Sequence, residues 1–337
     1  MSFMWAPATM LTLSTLVTST MMALSSTNWM FLWASMELNL LSFIPILMSS
    51  KLNQETEGSI KYFLAQALGS ALLLTSSIMM WSPYSILPSM MPLILMTSIL
   101  LKLGSAPCHF WYPSVMSSIS WISCTLLSSW QKLAPLAIMV FFTTQTSKYI
   151  ITLMAGLNAL LGGVMGMNQS QLRTIMAYSS IGHLGWMMSF MLLDKPMMSM
   201  LYFTVYCSLI VPLFLLMNLM NLMTSKQLSK VTMISPTTQL CISILLISLA
   251  GLPPLTGFMP KMLAIMMLSS YNTPLIIILI LGSLMNLFFY LNMIINMMMS
   301  NQDMNMNMKS MKYPKLASTP MLLSSVVSLG LAPMIML

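Results

Sequence analysis

Long apolar stretches fill this chain, and only short polar segments separate them. We count about eleven stretches of roughly 20 mostly apolar residues, the length at which a helix crosses a bilayer. Charged residues make up 5% of the 337 residues and hydrophobic residues 58%. Because a soluble globular domain carries roughly 25% charged residues, this pattern excludes a soluble protein. It predicts an all-α, polytopic transmembrane helical bundle.

The predicted spans leave no room for a soluble domain or a long linker. We therefore expect a single transmembrane domain over residues 1–337. The longest polar segment, about 299–317, is expected to lie at the membrane surface. The predicted spans cover residues 4–25, 29–49, 60–82, 87–110, 117–142, 149–167, 173–193, 197–222, 237–268, 273–298 and 318–337.

Methionine usage indicates where the chain is made. The sequence contains 45 Met, and many stand where Ile or Leu would serve as well. Arg173 is its only arginine. A genetic code that reads an Ile codon as Met produces such a pattern, and animal mitochondria use one. We therefore predict a multi-pass protein of the mitochondrial inner membrane.

The positive charges of the loops predict an orientation. If the membrane sides are numbered alternately, eight cations fall on the side of the N-terminus and two on the other side. Since positive loops stay on the inner side, we expect the N-terminus in the matrix and the C-terminus in the intermembrane space. The eight are Lys51, Lys61, Arg173, Lys226, Lys230, Lys309, Lys312 and Lys315, and the two are Lys148 and Lys195.

Four ionisable residues lie inside apolar spans, namely Glu37, Lys102, Lys132 and Lys261. A charge near the bilayer centre costs about 3 kcal/mol, so such residues usually mark ion or proton pathways. The helix neighbours of Glu37 are apolar, so its partner must come from another helix, and Lys102 is the natural candidate. The alternative is a protonated Glu37 that is hydrogen-bonded in the core.

The surroundings of Lys132 predict that it faces the interior of the bundle. Thr125, Ser128 and Ser129 precede it by seven, four and three residues, which places all of them on one helix face. A single polar stripe on an apolar helix is expected to face other helices or a hydrated cavity, not lipid. A lysine can also release its proton, as a relay requires.

His109 and His183 are secondary candidates for the proton path. His109 follows Lys102 within an interrupted span, and His183 lies at the centre of another span. Imidazole exchanges protons near neutral pH. The alternative for each is a histidine that is simply hydrogen-bonded in the core.

Two spans are interrupted in a matched way. Pro107 and Pro113 follow Lys102, and Pro254 and Pro260 precede Lys261, and the second proline stands six positions after the first in both cases. Because proline removes a helix hydrogen bond and clashes with the preceding turn, both helices are expected to break. Paired interrupted spans point to a transporter built from repeats, with its site at the breaks. Two ordinary proline kinks are the alternative.

The motifs of several cofactor sites are missing. The sequence contains no glycine-rich nucleotide motif and no P-loop. The four cysteines are far apart, without the spacing of a zinc or iron–sulfur site. Two histidines on different spans could ligate a haem, but the nearby lysines argue against it. We therefore expect no cofactor and no metal in this chain.

From about residue 28 to 295, the sequence resembles the antiporter-like membrane subunits of respiratory complex I. The resemblance differs mildly at Cys108, where an aromatic residue is common, and at Met262, where Trp is common. Six segments carry it: Asn28–Pro45, Lys61–Gln66, Leu101–Trp111, Trp130–Pro135, Asn168–Trp186 and Gly251–Lys261.

This resemblance implies a fold and a set of residue roles. The fold would contain two inverted repeats of five helices with two broken helices, and the N-terminus would be shortened relative to fourteen-helix members. Glu37 and Lys102 would form the charged pair of the first repeat. Lys132 would be the central relay, and Lys261 would be the corresponding group on the second broken helix.

The resemblance also implies a function and partners. The chain would move protons as a membrane-arm subunit of a proton-translocating NADH:ubiquinone oxidoreductase, and it would hold no redox centre itself. Its partners would be the antiporter-like chain 4, the small chain 4L, accessory subunits and membrane lipid, with no nucleic acid. A free-standing cation/proton antiporter is the main alternative. An assembly scaffold is another, although the intact charged residues argue against it.

Overall fold

The computed structural model describes residues 7–49, 52–81, 91–141, 145–228, 236–253 and 255–299. Within these ranges the regular secondary structure is helical, apart from one isolated bridge between Gln171 and Thr224, and turns join the helices. The predicted all-α class is confirmed. The predicted span 318–337 lies outside the described residues. The helices are α1 (Pro7–Ser25), α2 (Trp29–Leu47), α3 (Asn53–Trp81), α4 (Met91–Leu103), α5 (Trp111–Ser118), α6 (Trp121–Ser128), α7 (Trp130–Phe141), α8 (Gln145–Met167), α9 (Leu172–Leu192), α10 (Pro196–Leu219), α11 (Pro236–Ala250), α12 (Phe258–Leu268) and α13 (Thr273–Met299).

Six of the described helices are long and apolar enough to cross a membrane, namely α1, α2, α3, α8, α10 and α13. The shorter apolar helices include α4, α11 and α12. A multi-pass membrane protein is therefore confirmed. The total of eleven spans remains a prediction, because several predicted spans correspond to more than one short helix.

Helix α9 shows how the interior differs from the outer surface. Nearly all of its side chains are buried, although it carries polar residues such as Ser179 and Ser180. In contrast, α13 exposes large apolar side chains, among them Ile277, Leu284 and Phe288. A helix enclosed by protein can carry polar groups, whereas a lipid-facing helix cannot satisfy them. Polar residues are therefore expected to concentrate on the enclosed helices.

The described residues fall into two compact units, which divide between Met154 and Ala155. In the first unit, α3 packs against α2, α4 and α5, and α4 also contacts α7. In the second unit, α9 packs against α10, α12 and α13, and α11 contacts α10 and α13. The single-domain prediction remains a prediction.

Small residues bring the helices of the second unit close together. A Cβ atom at Gly162 would lie 2.6 Å from the backbone nitrogen of Gly182, and one at Gly282 would overlap the carbonyl oxygen of Ala159. Such close backbone approach is how membrane helices pack without a hydrophobic driving force. Helices α8, α9 and α13 are therefore held against one another by their glycines.

The predicted span over 117–142 is not one continuous helix in its described part. Three helices, α5, α6 and α7, occupy this region, and the backbone is extended at Ile119 and Ser120. At the second boundary, both the N–H and the hydroxyl of Ser129 donate to the carbonyl of Thr125. Serine side chains that bond the nearby backbone compete with the regular helix ladder. Apolar length alone does not reveal such boundaries.

Candidate functional site

Helix α4 ends in a glycine turn in the first unit. Gly104 has φ +67°, a conformation that glycine adopts without steric cost. Its N–H donates to the carbonyl of Leu101 at 3.1 Å, and the N–H of Ser105 donates to that of Leu100 at 3.1 Å. These two bonds form a Schellman motif, which satisfies the last carbonyls of a helix. Regular helix does not resume until α5.

Neutral side chains also bond carbonyls at this helix end. The indole Nε1 of Trp111 donates to Leu101 at 3.0 Å, and the amide Nε2 of Gln66 donates to the carbonyl of Lys102 at 3.1 Å. Unsatisfied carbonyls are costly in an apolar environment. Because these neutral groups satisfy them, the ammonium group of Lys102 is not needed to cap the helix.

Lys102 is buried, with 6% of its surface exposed. Its aliphatic chain packs on Gly69, where an added Cβ would lie 3.0 Å from Lys102 Cγ. Glu37 on α2 is half-buried. The carboxylate oxygen Oε2 of Glu37 is buried and has no hydrogen-bond partner among the described residues. The pairing of Glu37 with Lys102 stays a prediction.

A cavity in the first unit is lined by both Lys102 and Lys132. Lys132 is 2% exposed, and its Nζ lies 4.7 Å from the ring centroid of Tyr112. About 20 Å³ is open to the centre of a water molecule, which is enough for one ordered water. The cavity lining also includes the polar or aromatic residues Asn39, Tyr62, Gln66, Trp111, Tyr112 and Gln131.

Two of the polar side chains that line the cavity are hydrogen-bonded to each other. The amide Nε2 of Gln131 donates to Oδ1 of Asn39 at 2.9 Å, which links α7 to α2. Thr125 and Ser128, from the predicted polar stripe, are buried as expected. Their hydroxyls donate to carbonyls of their own helix and do not line the cavity. The polar lining therefore comes from amides and aromatic groups rather than from this stripe.

The second unit contains a similar glycine turn at the end of α11. Gly251 has φ +83°. Its N–H donates to the carbonyl of Ser248 at 3.1 Å, and the N–H of Leu252 donates to that of Ile247 at 3.5 Å. The bonds have the same pattern as those after α4. Regular helix begins again with α12.

Lys261 of α12 reaches back to this helix end. It is 5% exposed, and its Nζ donates to the carbonyl of Ala250 at 2.8 Å and to that of Leu249 at 3.5 Å. An added Cβ at Gly251 would lie 2.7 Å from Nζ. A cation at the C-terminus of a helix is favoured by the helix dipole. Lys261 therefore caps α11.

His109 lies between α4 and α5 and is 3% exposed. Its Nδ1 donates to the carbonyl of Pro107 at 3.3 Å. Its Nε2 has no hydrogen-bond partner among the described residues. His109 does not line the cavity that contains the two lysines. The structure therefore places it near, but outside, that cavity.

His183 lies on α9 in the second unit and is 5% exposed. Its Nδ1 and the hydroxyl of Tyr202 are hydrogen-bonded at 2.8 Å, and the ring of Tyr206 lies 5.2 Å from its own. A small cavity here is also lined by Ser248 and Gly257, which flank the interruption after α11. Sequence reasoning missed Tyr202 and Tyr206, although their spacing of four residues on an apolar helix was a usable signal.

The candidate residues share the ability to exchange protons. Among the residues that the structure describes, no three His, Cys, Asp or Glu side chains come close enough to hold a metal ion. The buried ionisable groups are instead amines, a carboxylate and imidazoles, each of which can bind or release a proton. The first unit brings together Lys102 and Lys132 in one cavity lining, and it also contains Glu37. Lys261 and His183 belong to the second unit.

The sequence profile of the NADH:quinone oxidoreductase/Mrp antiporter transmembrane family matches residues 26–286. This chain belongs to that family. It is 56% identical to the NADH-ubiquinone oxidoreductase chain 2 of Lumbricus terrestris, with full coverage of both chains. It is 37% identical to the chain 2 of Lemur catta, over 95% of each chain, and 36% identical to that of Locusta migratoria, over 96% of this chain and 94% of the other.

Solved structures share the fold. A chain of respiratory complex I from Thermus thermophilus matches with a TM-score of 0.84 and 20% identity, over 96% of this chain and 77% of the other. A chain of the membrane-bound sulfane sulfur reductase, an archaeal respiratory membrane complex, matches with a TM-score of 0.77 and 16% identity, over 95% and 71%. At these identities the likeness concerns the fold alone.

Proposed function

We propose that this chain is a proton-translocating membrane-arm subunit of a respiratory NADH:ubiquinone oxidoreductase of the mitochondrial inner membrane. Curated relatives of nearly equal length bear the name of chain 2 of that enzyme. In this proposal Glu37, Lys102, Lys132 and Lys261 carry protons, and His109 and His183 are secondary members of the path.

The observation that carries the proposal is the cavity shared by Lys102 and Lys132. Two like charges in one buried space disfavour each other, so a proton on one amine discourages a proton on the other. In this proposal Glu37 is the partner of Lys102, and an opposite charge favours the charged form of a lysine. A change at Glu37 would therefore shift the proton between the two amines. A water in the cavity would give that proton a route.

The proposal also includes a fold with two inverted repeats. We take α4 with α5, and α11 with α12, as the two interrupted spans of inverted repeats in an eleven-span bundle. The matching glycine turns at Gly104 and Gly251 support this pairing. The loop charges support a matrix-facing N-terminus and a C-terminus in the intermembrane space.

The chain would act as one part of a larger translocase. Its own buried groups exchange protons, so electron transfer is assigned to other subunits, and we propose no cofactor here. The partners would be the antiporter-like chain 4, the small chain 4L and accessory subunits, in a lipid environment. The family match and the names of the relatives support a place within that complex.

The Lys132→Met variant of the assembled complex tests the proposal. Methionine keeps much of the bulk of lysine but carries no proton, so NADH-driven proton pumping should fall sharply while the amount of assembled complex persists. Lys195→Met is the matched control, because Lys195 is exposed at the start of α10. Pumping that stays unchanged in the assembled Lys132→Met complex would show that Lys132 is structural.

A free-standing cation/proton antiporter is the second candidate, since the family name includes Mrp antiporters. Purification distinguishes the two functions. A subunit co-purifies with NADH oxidation activity, whereas an antiporter exchanges ions alone in vesicles. The names of the full-length relatives favour the subunit.

A further inference from the structure

Tyr112 lies between the segment that follows α4 and the side chain of Lys132. It is the second residue of α5 and is 1% exposed. The Nζ of Lys132 lies 4.7 Å from its ring centroid. Both residues line the cavity that contains Lys102. The ring therefore forms one wall of the space in which Lys132 would exchange its proton.

A contact between an amine and a ring face depends on charge. The negative face of an aromatic ring attracts an ammonium group, and the attraction is strongest when both groups are shielded from water. A neutral amine lacks this attraction. Because Lys132 and Tyr112 are both buried, the ring holds the protonated amine in place and has little hold on the neutral one.

The position of the ring is set by the segment that follows α4. An added Cβ at Gly104 would lie 2.9 Å from the Cβ of Tyr112. The N–H of Tyr112 donates to the carbonyl of His109 at 3.0 Å. Its ring also packs edge-on against Trp111 at 5.7 Å, and the Trp111 indole bonds the end of α4. A movement of this segment would therefore move the ring.

We propose that Tyr112 is a positioning residue that couples the arrangement of the α4–α5 segment to the protonated Lys132. The coupling rests on the proposed role of Lys132 as a proton carrier. When the segment holds the ring under Nζ, the charged amine is fixed beside the cavity. When the ring moves away, the charged amine loses that contact and its proton is more readily released.

Three variants of the assembled complex test this role by NADH-driven proton pumping, normalised to the amount of complex. Tyr112→Leu removes the ring, and pumping should fall about threefold or more. Tyr112→Phe keeps the ring and should retain pumping. Phe43→Leu is the matched control, because Phe43 is a fully buried aromatic residue of the same unit that does not line the cavity. Its pumping should stay close to the parent level.

A double variant tests whether Tyr112 acts through Lys132. If the ring acts through Lys132, Tyr112→Leu should cause no further loss in a complex that already carries Lys132→Met. A further loss there, a loss in Tyr112→Phe equal to that in Tyr112→Leu, or unchanged pumping in Tyr112→Leu would each overturn the coupling. If Tyr112→Leu yields no assembled complex, Tyr112→Met replaces it with the same expectation, since Met fills irregular space.

The outcomes also separate this inference from the proposed function. Unchanged pumping in Lys132→Met contradicts the proton-carrying role of Lys132, and the coupling then fails with it. Reduced pumping in Lys132→Met together with unchanged pumping in Tyr112→Leu overturns the coupling alone.

Discussion

Helices α4 and α11 end in the same type of glycine turn, but the lysines near the two turns make different contacts. After α4, neutral groups of Gln66 and Trp111 bond the helix end, and the Lys102 ammonium faces the cavity. After α11, the ammonium of Lys261 itself donates to the carbonyl of Ala250. The Lys102 ammonium therefore does not cap its helix, whereas the Lys261 ammonium caps α11.

This difference predicts different responses to proton release. A charged donor forms hydrogen bonds roughly twice as strong as a neutral one. If Lys261 released its proton, its bond to the end of α11 would weaken, so the backbone there would be affected. Release from Lys102 would leave the end of α4 intact, because its carbonyls are bonded by other groups. We infer that proton movement and helix structure are linked more tightly in the second unit.

The largest loss of stability is expected from Gly257→Ala, which would disrupt the segment between α11 and α12. A Cβ at this position would overlap the backbone carbonyl of Ser248, which cannot move without distorting α11. The cost should be about 3 kcal/mol or more, the range of severe core changes. The amount of assembled complex measures it, and we expect almost none. Gly156→Ala is the control, because its Cβ would meet only ordinary side-chain contacts beginning at 3.4 Å.

Matched Lys102→Met and Lys261→Met variants test whether Lys261, unlike Lys102, stabilises the end of a helix. Removing the Lys261 ammonium leaves the Ala250 carbonyl without this bond, at a cost of about 1–3 kcal/mol. No such bond is lost in Lys102→Met, because the Lys102 ammonium bonds no carbonyl among the described residues. Thermal inactivation of the extracted complex should occur at a lower temperature for Lys261→Met alone. Equal shifts in both variants would refute the difference.

A smaller loss of thermal stability is expected when alanine replaces the glycine of either turn. Gly104→Ala and Gly251→Ala both place a side chain at positive φ, which costs roughly 1–2 kcal/mol. The new Cβ would press on the Cβ of Tyr112 in the first case, and on the flexible end of Lys261 in the second. We therefore expect Gly104→Ala to lower thermal stability more. The reverse order would indicate that Lys261 is held more rigidly than Tyr112.

The smallest effect is expected from Trp111→Phe. This change keeps a ring but removes the Nε1–H that donates to Leu101. Loss of one buried hydrogen bond should cost about 1 kcal/mol. Gly104 still donates to the same carbonyl, which limits the damage. A small drop in thermal stability with normal pumping is the expected result, and a large drop in pumping would mean that the indole has a further role.

Composition and spacing allowed much of this architecture to be predicted. The apolar stretches predicted the helical membrane fold, and the rarity of charge singled out the buried Lys102, Lys132 and Lys261. The helix ends lie at Gly104 and Gly251, a few residues before the prolines. Glycine in the left-handed conformation, rather than proline alone, therefore determines where regular helix stops.

Other features depend on contacts between residues that are distant in sequence. Gln66 bonds the end of α4 across 36 residues, and Tyr202 bonds His183 across 19. Neither pairing follows from a local pattern, because it depends on how the helices pack. The boundary between α6 and α7 includes a hydroxyl hydrogen bond of Ser129 that an apolar window does not register. Which lysine caps a helix is likewise known only from the fold.

Proton pumping by the assembled Lys132→Arg complex tests the central claim most directly. Arginine keeps the positive charge but does not release its proton, so it separates proton transfer from charge and bulk. The measurement is the number of protons translocated per NADH oxidised in sealed vesicles, with the amount of assembled complex matched to the parent. The account predicts a sharp fall in that ratio. An unchanged ratio would contradict a proton-carrying role for Lys132.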